Sequence, residues 1–265
     1  MLNIHHIAKT FNPGAITEKV ALVDVELHLA PGDFVTVIGG NGAGKSTTLN
    51  AVAGTFLVDK GFIEIDGVDV TRLPEHKRAK YLGRVFQDPM TGTAASMSIE
   101  ENLALALRRG QRRSPLRWGV TKAEKDSFRA ALSTLELGLE NRMTSKVGLL
   151  SGGQRQALTL LMATLRKPRL LLLDEHTAAL DPKTAAKVLG LTRKLIRDNH
   201  LTAMMVTHNM KDALQYGNRT IMMHEGRIIL DIGADAKERL KVDDLLQMFE
   251  QASGSGLNND RMLLG

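Results

Sequence analysis

Between a short β-branched run, Val35-Thr36-Val37-Ile38, and an apolar helical pattern over 45–52 stands Gly39-Gly40-Asn41-Gly42-Ala43-Gly44-Lys45-Ser46. A stretch of this kind needs a strand entering and a helix leaving a tight turn, and it therefore points to an α/β layout. Glycines let consecutive backbone N–H groups turn inward around an anion where side chains would block the approach. The helix that follows presents its positive end to the same anion. Lys45 adds a mobile charge for terminal phosphate oxygens, and Ser46 adds a hydroxyl suited to a magnesium ion. The spacing Gly-x4-Gly-Lys-Ser in strand–loop–helix context is the P-loop pattern, which implies a bound nucleoside triphosphate.

A second element complements the first. Leu170-Leu171-Leu172-Leu173 is a continuous apolar run of the kind buried on both faces of a parallel sheet, and it ends on Asp174-Glu175. Carboxylates at the carboxyl edge of such a sheet lie where ligands bind. Asp174 suits a magnesium ion held through water, and Glu175 suits orienting or deprotonating an attacking water. Leu150-Ser151-Gly152-Gly153-Gln154 then opens a helical pattern over 155–165. Two glycines at a helix start make another anion site, with Ser151 able to cap the helix or meet a phosphate. A second phosphate-binding helix start is more than one nucleotide needs, which suggests a site completed between two copies.

Around these motifs, Phe62–Ile65 and Arg84-Val85-Phe86 read as strands. Ser98 to Glu101 and Thr121 to Glu124 are capping-box patterns, opening helices over 103–107 and from 121 to about Leu137. A helical insertion is thus expected over about 90–165, with a polar loop at Gly110–Pro115. Asp181-Pro182 reads as an N-cap followed by proline at the first helical position, with the helix running towards Asp198. Ala203–Val206 reads as a strand, and the runs 219–223 and 227–230 flank a His224-Glu225-Gly226 turn as a hairpin. An amphipathic helix carrying Val242, Leu245, Leu246 and Phe249 precedes a flexible tail from Ser253.

This ordered set resembles the ABC ATPase family, whose signature is LSGGQ, over nearly the whole chain. The Asp174-Glu175-His176-Thr177 variant and the run Val85-Phe86-Gln87-Asp88-Pro89-Met90-Thr91-Gly92-Thr93 resemble, more narrowly, the ATPases of tryptophan/tyrosine-type uptake systems. The resemblance implies an α/β fold: a P-loop NTPase (RecA-like) core with a parallel sheet, an N-terminal antiparallel β part and an inserted helical subdomain. It implies an ABC ATPase domain over 1–235 and a helix with its tail over 236–265. By that resemblance Gly39 to Ser46 with Thr47 is Walker A, and Asp174-Glu175 is Walker B with its catalytic glutamate. Gln87 is the glutamine that senses Mg²⁺ and couples to membrane subunits, and His208 the switch histidine on the γ-phosphate. Ala179-Leu180-Asp181 is the D-loop, and Phe11 takes the place of the aromatic that stacks on adenine. Ser151, Gly152, Gly153 and Gln154 would close over ATP bound to the Walker A of a second copy. Ser46, Asp174 and Gln87 would serve Mg²⁺.

The implied function is the ATPase motor of a membrane transporter, an importer of a small solute such as an amino acid. It would sit peripherally on the cytoplasmic face of the membrane. Its implied partners are a homodimeric copy, separate membrane-spanning subunits and an extracytoplasmic binding protein. His176 departs from the family's frequent proline after the Walker B acid pair and reads as a tolerated loop variant. Thr144-Ser145-Lys146-Val147-Gly148 stands before the signature where exporters commonly carry acidic residues, which favours import. An exporter motor, or a soluble ABC ATPase acting on ribosomes or nucleic acid, is the alternative. Translation-type members carry two cassettes, whereas this chain has one P-loop and one signature.

Composition fits a peripheral role. The 265 residues are 43% hydrophobic and 24% charged, as in ordinary globular domains. There is no cysteine, which excludes disulfides and thiol chemistry. No window approaches the ~18 consecutive apolar residues of a spanning helix. The net charge of +6 is concentrated in 72–84 and 108–117, read as a solvated basic face rather than a specific nucleic-acid site.

Overall fold

The computed structural model describes residues 1–111 and 119–253. Most of the loop expected at Gly110–Pro115, the end of the second basic stretch and the tail from residue 254 lie outside these.

The chain begins with two long antiparallel strands, β1 (Leu2–Phe11) and β2 (Lys19–Leu29). Their register slips around His6 and Asp24, both at positive φ. β3 (Phe34–Ile38) is buried throughout and delivers the chain to α1 (Lys45–Ala53). There follow β4 (Lys60–Ile65), the two-residue β5 (Val68–Asp69), α2 (Glu75–Arg78) and β6 (Leu82–Val85). Then come α3 (Ile99–Leu107), α4 (Lys122–Ser133), two short 3-10 turns and α5 (Gly152–Thr164). β7 (Leu170–Asp174), α6 (Pro182–Asp198), β8 (Thr202–Val206) and α7 (Met210–Gln215) return the chain to the core. The described chain ends with the hairpin β9 (Arg219–His224) and β10 (Arg227–Ile232), then α8 (Ala234–Lys237) and α9 (Val242–Ser253).

Two sheets result. One is antiparallel in the order β2-β1-β4-β5; the other runs β10-β9-β3-β8-β7-β6, parallel except for β10. The leucine run of β7 shows why the second sheet is central. Leu170 and Leu172 pack with α1 and the antiparallel sheet, whereas Leu171 and Leu173 pack with Leu160, Leu189 and Ile196 on the helical side. Alternate side chains of a strand point to opposite faces, so a strand covered on both faces must be apolar at every position. All four leucines are fully buried, each contributing about 1.5–3 kcal/mol relative to exposure. A separate apolar cluster joins α3, α4 and α5 through Leu103, Phe128, Leu132 and Leu158.

Local chemistry sets the helix ends. Ser98, Thr121 and Ser151 each cap a helix reciprocally with the residue three positions on: Glu101, Glu124 and Gln154. α4 stops at Ser133, short of the expected Leu137. The Ser133 and Thr134 hydroxyls donate to the carbonyls of Ala130 and Ala131, and Glu136 and Gly138 then adopt left-handed φ. The basic stretch 72–84 is not uniformly solvated. Arg78 is 1% exposed and donates to the carbonyls of Leu73, Ala51, Val52 and Thr71, closing the C-terminal end of α1. Among the described residues no helix is long and apolar enough to cross a membrane.

Candidate active site

β3 and β7, separated by β8, bring two loops to the same edge of the parallel sheet. From β3 the chain turns through Gly39, whose φ is 146° and where an added Cβ would lie 2.1 Å from the Met223 carbonyl oxygen. Only glycine fits that approach. The loop then reaches α1, and Ala21, Asn41, Gly42, Ala43, Gly44, Lys45, Ser46, Thr47, Lys19 and Glu175 enclose a cavity of about 210 Å³. Lys45 is buried, and its ammonium donates to the carbonyls of Gly39 (2.8 Å) and Gly40 (3.1 Å).

From β7, Asp174 meets α1. The Ser46 hydroxyl donates to Asp174 Oδ1 at 2.9 Å, which joins the two motifs across 128 residues of sequence. Burial pushes the Asp174 carboxyl above its ordinary range, while the Ser46 hydroxyl and the charge of Arg84 pull the other way. Glu175 adopts a left-handed φ of 41°, a conformation that costs a non-glycine residue roughly 1 kcal/mol or more. Its N–H donates to the Val206 carbonyl at 3.0 Å, so the end of β8 over-determines that turn. Its carboxylate Oε2 lies 3.5 Å from His208 Nδ1, at the exit of β8.

The other sequence-derived candidates do not join this cluster within one chain. Ser151 and Gly152 are exposed at the start of α5, where the Ser151 hydroxyl accepts from the Gln154 N–H at 3.3 Å. Asp181 is exposed and caps α6 by accepting from the Thr184 N–H at 3.1 Å. Gln87 is exposed beyond β6 and makes no hydrogen bond to Ser46 or Asp174. Phe11 ends β1 with its ring edge-on to Phe56, centroids 5.1 Å apart, and Lys9 Nζ lies 5.6 Å from its centroid.

Several residues at the site escaped the motif reading. Lys19 lines the cavity from the start of β2, where no sequence signal marks it. Arg84 approaches Asp174 to 4.0 Å, and only the basic stretch hinted at it. Gln156, fully buried on α5, donates through Nε2 to the Phe86 carbonyl at 3.3 Å and so ties that helix to the segment entering Gln87.

Residues 22–178 match the model of a family described as ABC transporter. The chain belongs to the ABC transporter family. This ABC ATPase is 44% identical to a tyrosine transport ATP-binding protein of Clostridioides difficile (strain R20291), over 95% of this chain and 100% of that one. It is 33% identical to the methionine import ATP-binding protein MetN 2 of Enterococcus faecalis (strain ATCC 700802 / V583), over 86% of this chain and 64% of that one. Its fold matches a dimeric ATP-binding cassette, MJ0796, in a post-hydrolysis state bound to ADP and Pi. That match has a TM-score of 0.74 and 30% identity, covering 88% of this chain and 99% of that one. The ABC cassette here is therefore an ATP-binding, ATP-hydrolysing subunit of a transporter, with the α/β layout expected from its motifs.

Proposed function

We propose that this subunit powers uptake of an amino acid from the cytoplasmic face of a membrane, and that the site at the sheet edge performs the hydrolysis. The observation that carries the site assignment is the Ser46–Asp174 hydrogen bond, with Glu175 lining the same cavity as the Gly39–Thr47 loop. In this reading the backbone N–H groups of Gly40, Asn41, Gly42, Ala43 and Gly44, with the α1 terminus, bind the phosphates of ATP. Lys45 leaves the two carbonyls it now holds and moves its charge to the β- and γ-phosphate oxygens. Phe11 provides an aromatic face for the adenine.

The Ser46 hydroxyl and the Asp174 carboxylate are hard oxygen donors of the kind that suits Mg²⁺, with Gln87 completing the set. Bound there, Mg²⁺ would screen charge on the phosphate oxygens. Glu175 orients the attacking water and takes up its proton, while His208, 3.5 Å away, contacts the γ-phosphate and holds the carboxylate in place. Ser151, Gly152, Gly153, Gln154 and Asp181 of a second copy close over the nucleotide. The exposure of Ser151, Gly152 and Asp181 on this chain, outside the lining of its own phosphate-loop cavity, supports that crosswise arrangement.

A cavity of about 420 Å³ between β6 and the helices, lined by Arg84, Phe86, Thr91, Leu105, Arg109 and Met162, is the proposed seat of a membrane-subunit segment. Leu105 and the nearby Met90 are about half exposed, as an unpartnered docking rim would be. The tyrosine and methionine transport names of the two relatives support an amino acid as the solute, with an aromatic one favoured.

Glu175→Gln should bind ATP with near-normal affinity and lose hydrolysis by roughly a hundredfold or more, as loss of a positioned general base implies. Lys45→Ala should lose nucleotide binding itself. Equilibrium binding of a fluorescent ATP analogue and phosphate release measure the two effects. Full turnover by Glu175→Gln would remove Glu175 from its role. Gentle purification from native membranes should recover multi-span subunits; recovery of ribosomes or nucleic acid alone would overturn the transport assignment.

A further inference from the structure

Arg84 carries a charge that none of these roles uses. It rises from β6 with its guanidinium carbon 4.4 Å from the Phe86 ring centroid. Nη1 donates to Thr55 Oγ1 at 3.2 Å and lies 3.7 Å from Glu75, and Nη2 donates to Asn50 Oδ1 in α1. The same Nη2 lies 4.0 Å from Asp174 Oδ2, and both side chains are only 15% exposed. Among the described residues, Arg84 Nε is buried with no acceptor.

The two oxygens of Asp174 therefore face different groups: Oδ1 takes the Ser46 hydroxyl, and Oδ2 faces a guanidinium. A planar fork stacked on an aromatic ring and bonded to two side chains at the end of α1 is held in place rather than free to swing. A half-buried carboxylate beside a hydroxyl, without such a charge, would be a ready site for any free divalent cation.

We propose that Arg84 is the resident countercharge of Asp174. It balances the carboxylate before nucleotide arrives, so that Ser46 and Asp174 do not take up a divalent cation alone and the cation enters together with the nucleotide phosphates. This rests on the reading of Ser46 and Asp174 as the cation's ligands. Arg84 acts through Asp174 and is a positioning residue, not a catalytic one.

The test is Mn²⁺ binding to the purified full chain without nucleotide, followed by the loss of the free-ion electron paramagnetic resonance signal. Wild type should bind weakly. Arg84→Met should bind at least roughly tenfold more tightly, the order that removing one unit charge near a divalent ion implies even when screening approaches that of bulk water. Arg84→Lys, which keeps the charge, should stay near wild type, and adding Asp174→Asn to Arg84→Met should abolish the gain. Circular dichroism checks that each variant is folded, and Arg84→Gln replaces Arg84→Met if the latter is not. Unchanged or weaker Mn²⁺ binding in the folded, uncharged variant overturns the proposal. The parent reading fails separately, if Asp174→Asn binds Mn²⁺ in the presence of ATP as tightly as wild type.

Discussion

His176 lies 2% exposed immediately after the strained Glu175, with Nε2 3.0 Å from Thr192 Oγ1. The Thr192 hydroxyl donates to the Val188 carbonyl at 2.9 Å, so the imidazole Nε2–H is left to donate to the threonine oxygen. The ring is thus buried neutral, and burial pulls its pKa down to about 4. The unfolded chain binds the proton near pH 6.5, so it holds more protons than the folded chain between 6.5 and 4. Stability from this group is complete above pH 6.5 and is lost as pH falls towards 4, by about 3 kcal/mol on the linkage relation. Urea unfolding at several pH values should show wild type losing more stability over that window than His176→Leu. Parallel curves for the two proteins would contradict the buried-neutral assignment. Sequence alone placed His176 as a loop variant where the resembled family carries proline. Its burial depends on α6 folding back over the loop, which no local pattern encodes.

At the level of elements, α5 and α6 touch through a residue that also belongs to the signature. A Cβ on Gly153 would lie 2.2 Å from Thr184 Cγ2, so that glycine lets the two helices approach. Gly153→Ala should cost about 1–3 kcal/mol, the usual scale of forced overpacking. Thr184→Ser removes the offending methyl and should restore most of that loss in thermal unfolding, although ATP-driven association need not recover with it. No rescue would place the defect elsewhere than this contact. The capped helices were legible because each cap is written within four residues, and β3 and β7 because strands buried on both faces are almost continuously apolar, Thr36 of β3 being a buried exception. The N-terminal strands β1 and β2 are legible only through the antiparallel β part that the family resemblance implies. His6 and Asp24 at positive φ slip the register of β1 and β2 and break the alternation that marks a half-buried strand. α2 and α7, with four and six residues, are too short to show helical periodicity.

Across the whole molecule, the phosphate loop, Asp174, Glu175 and His208 gather at one sheet edge, while the signature opens a helix elsewhere on the surface. In the proposed crosswise arrangement, one chain offers two unlike halves of a site. Glu175→Gln with Mg²⁺ and ATP should accordingly run at twice the monomer mass in light scattering, and wild type without nucleotide at the monomer mass. A Glu175→Gln chain that binds ATP yet stays monomeric would refute the crosswise arrangement. The motif set was readable without coordinates because each half is a contiguous string. Arg84 and Lys19 were not, since each is a single basic residue on a strand and no local motif marks its position.

The bond from Gln156 to the Phe86 carbonyl gives this division a direction. Gln156 lies one turn inside the helix that begins with the signature, and Phe86 immediately precedes Gln87 beside the large cavity. A guest settling into that cavity would tug on α5 through this link. In the proposed crosswise pair the end of α5 that answers would face the neighbour's ATP, so a guest arriving on one copy would be felt at the fuel of the other.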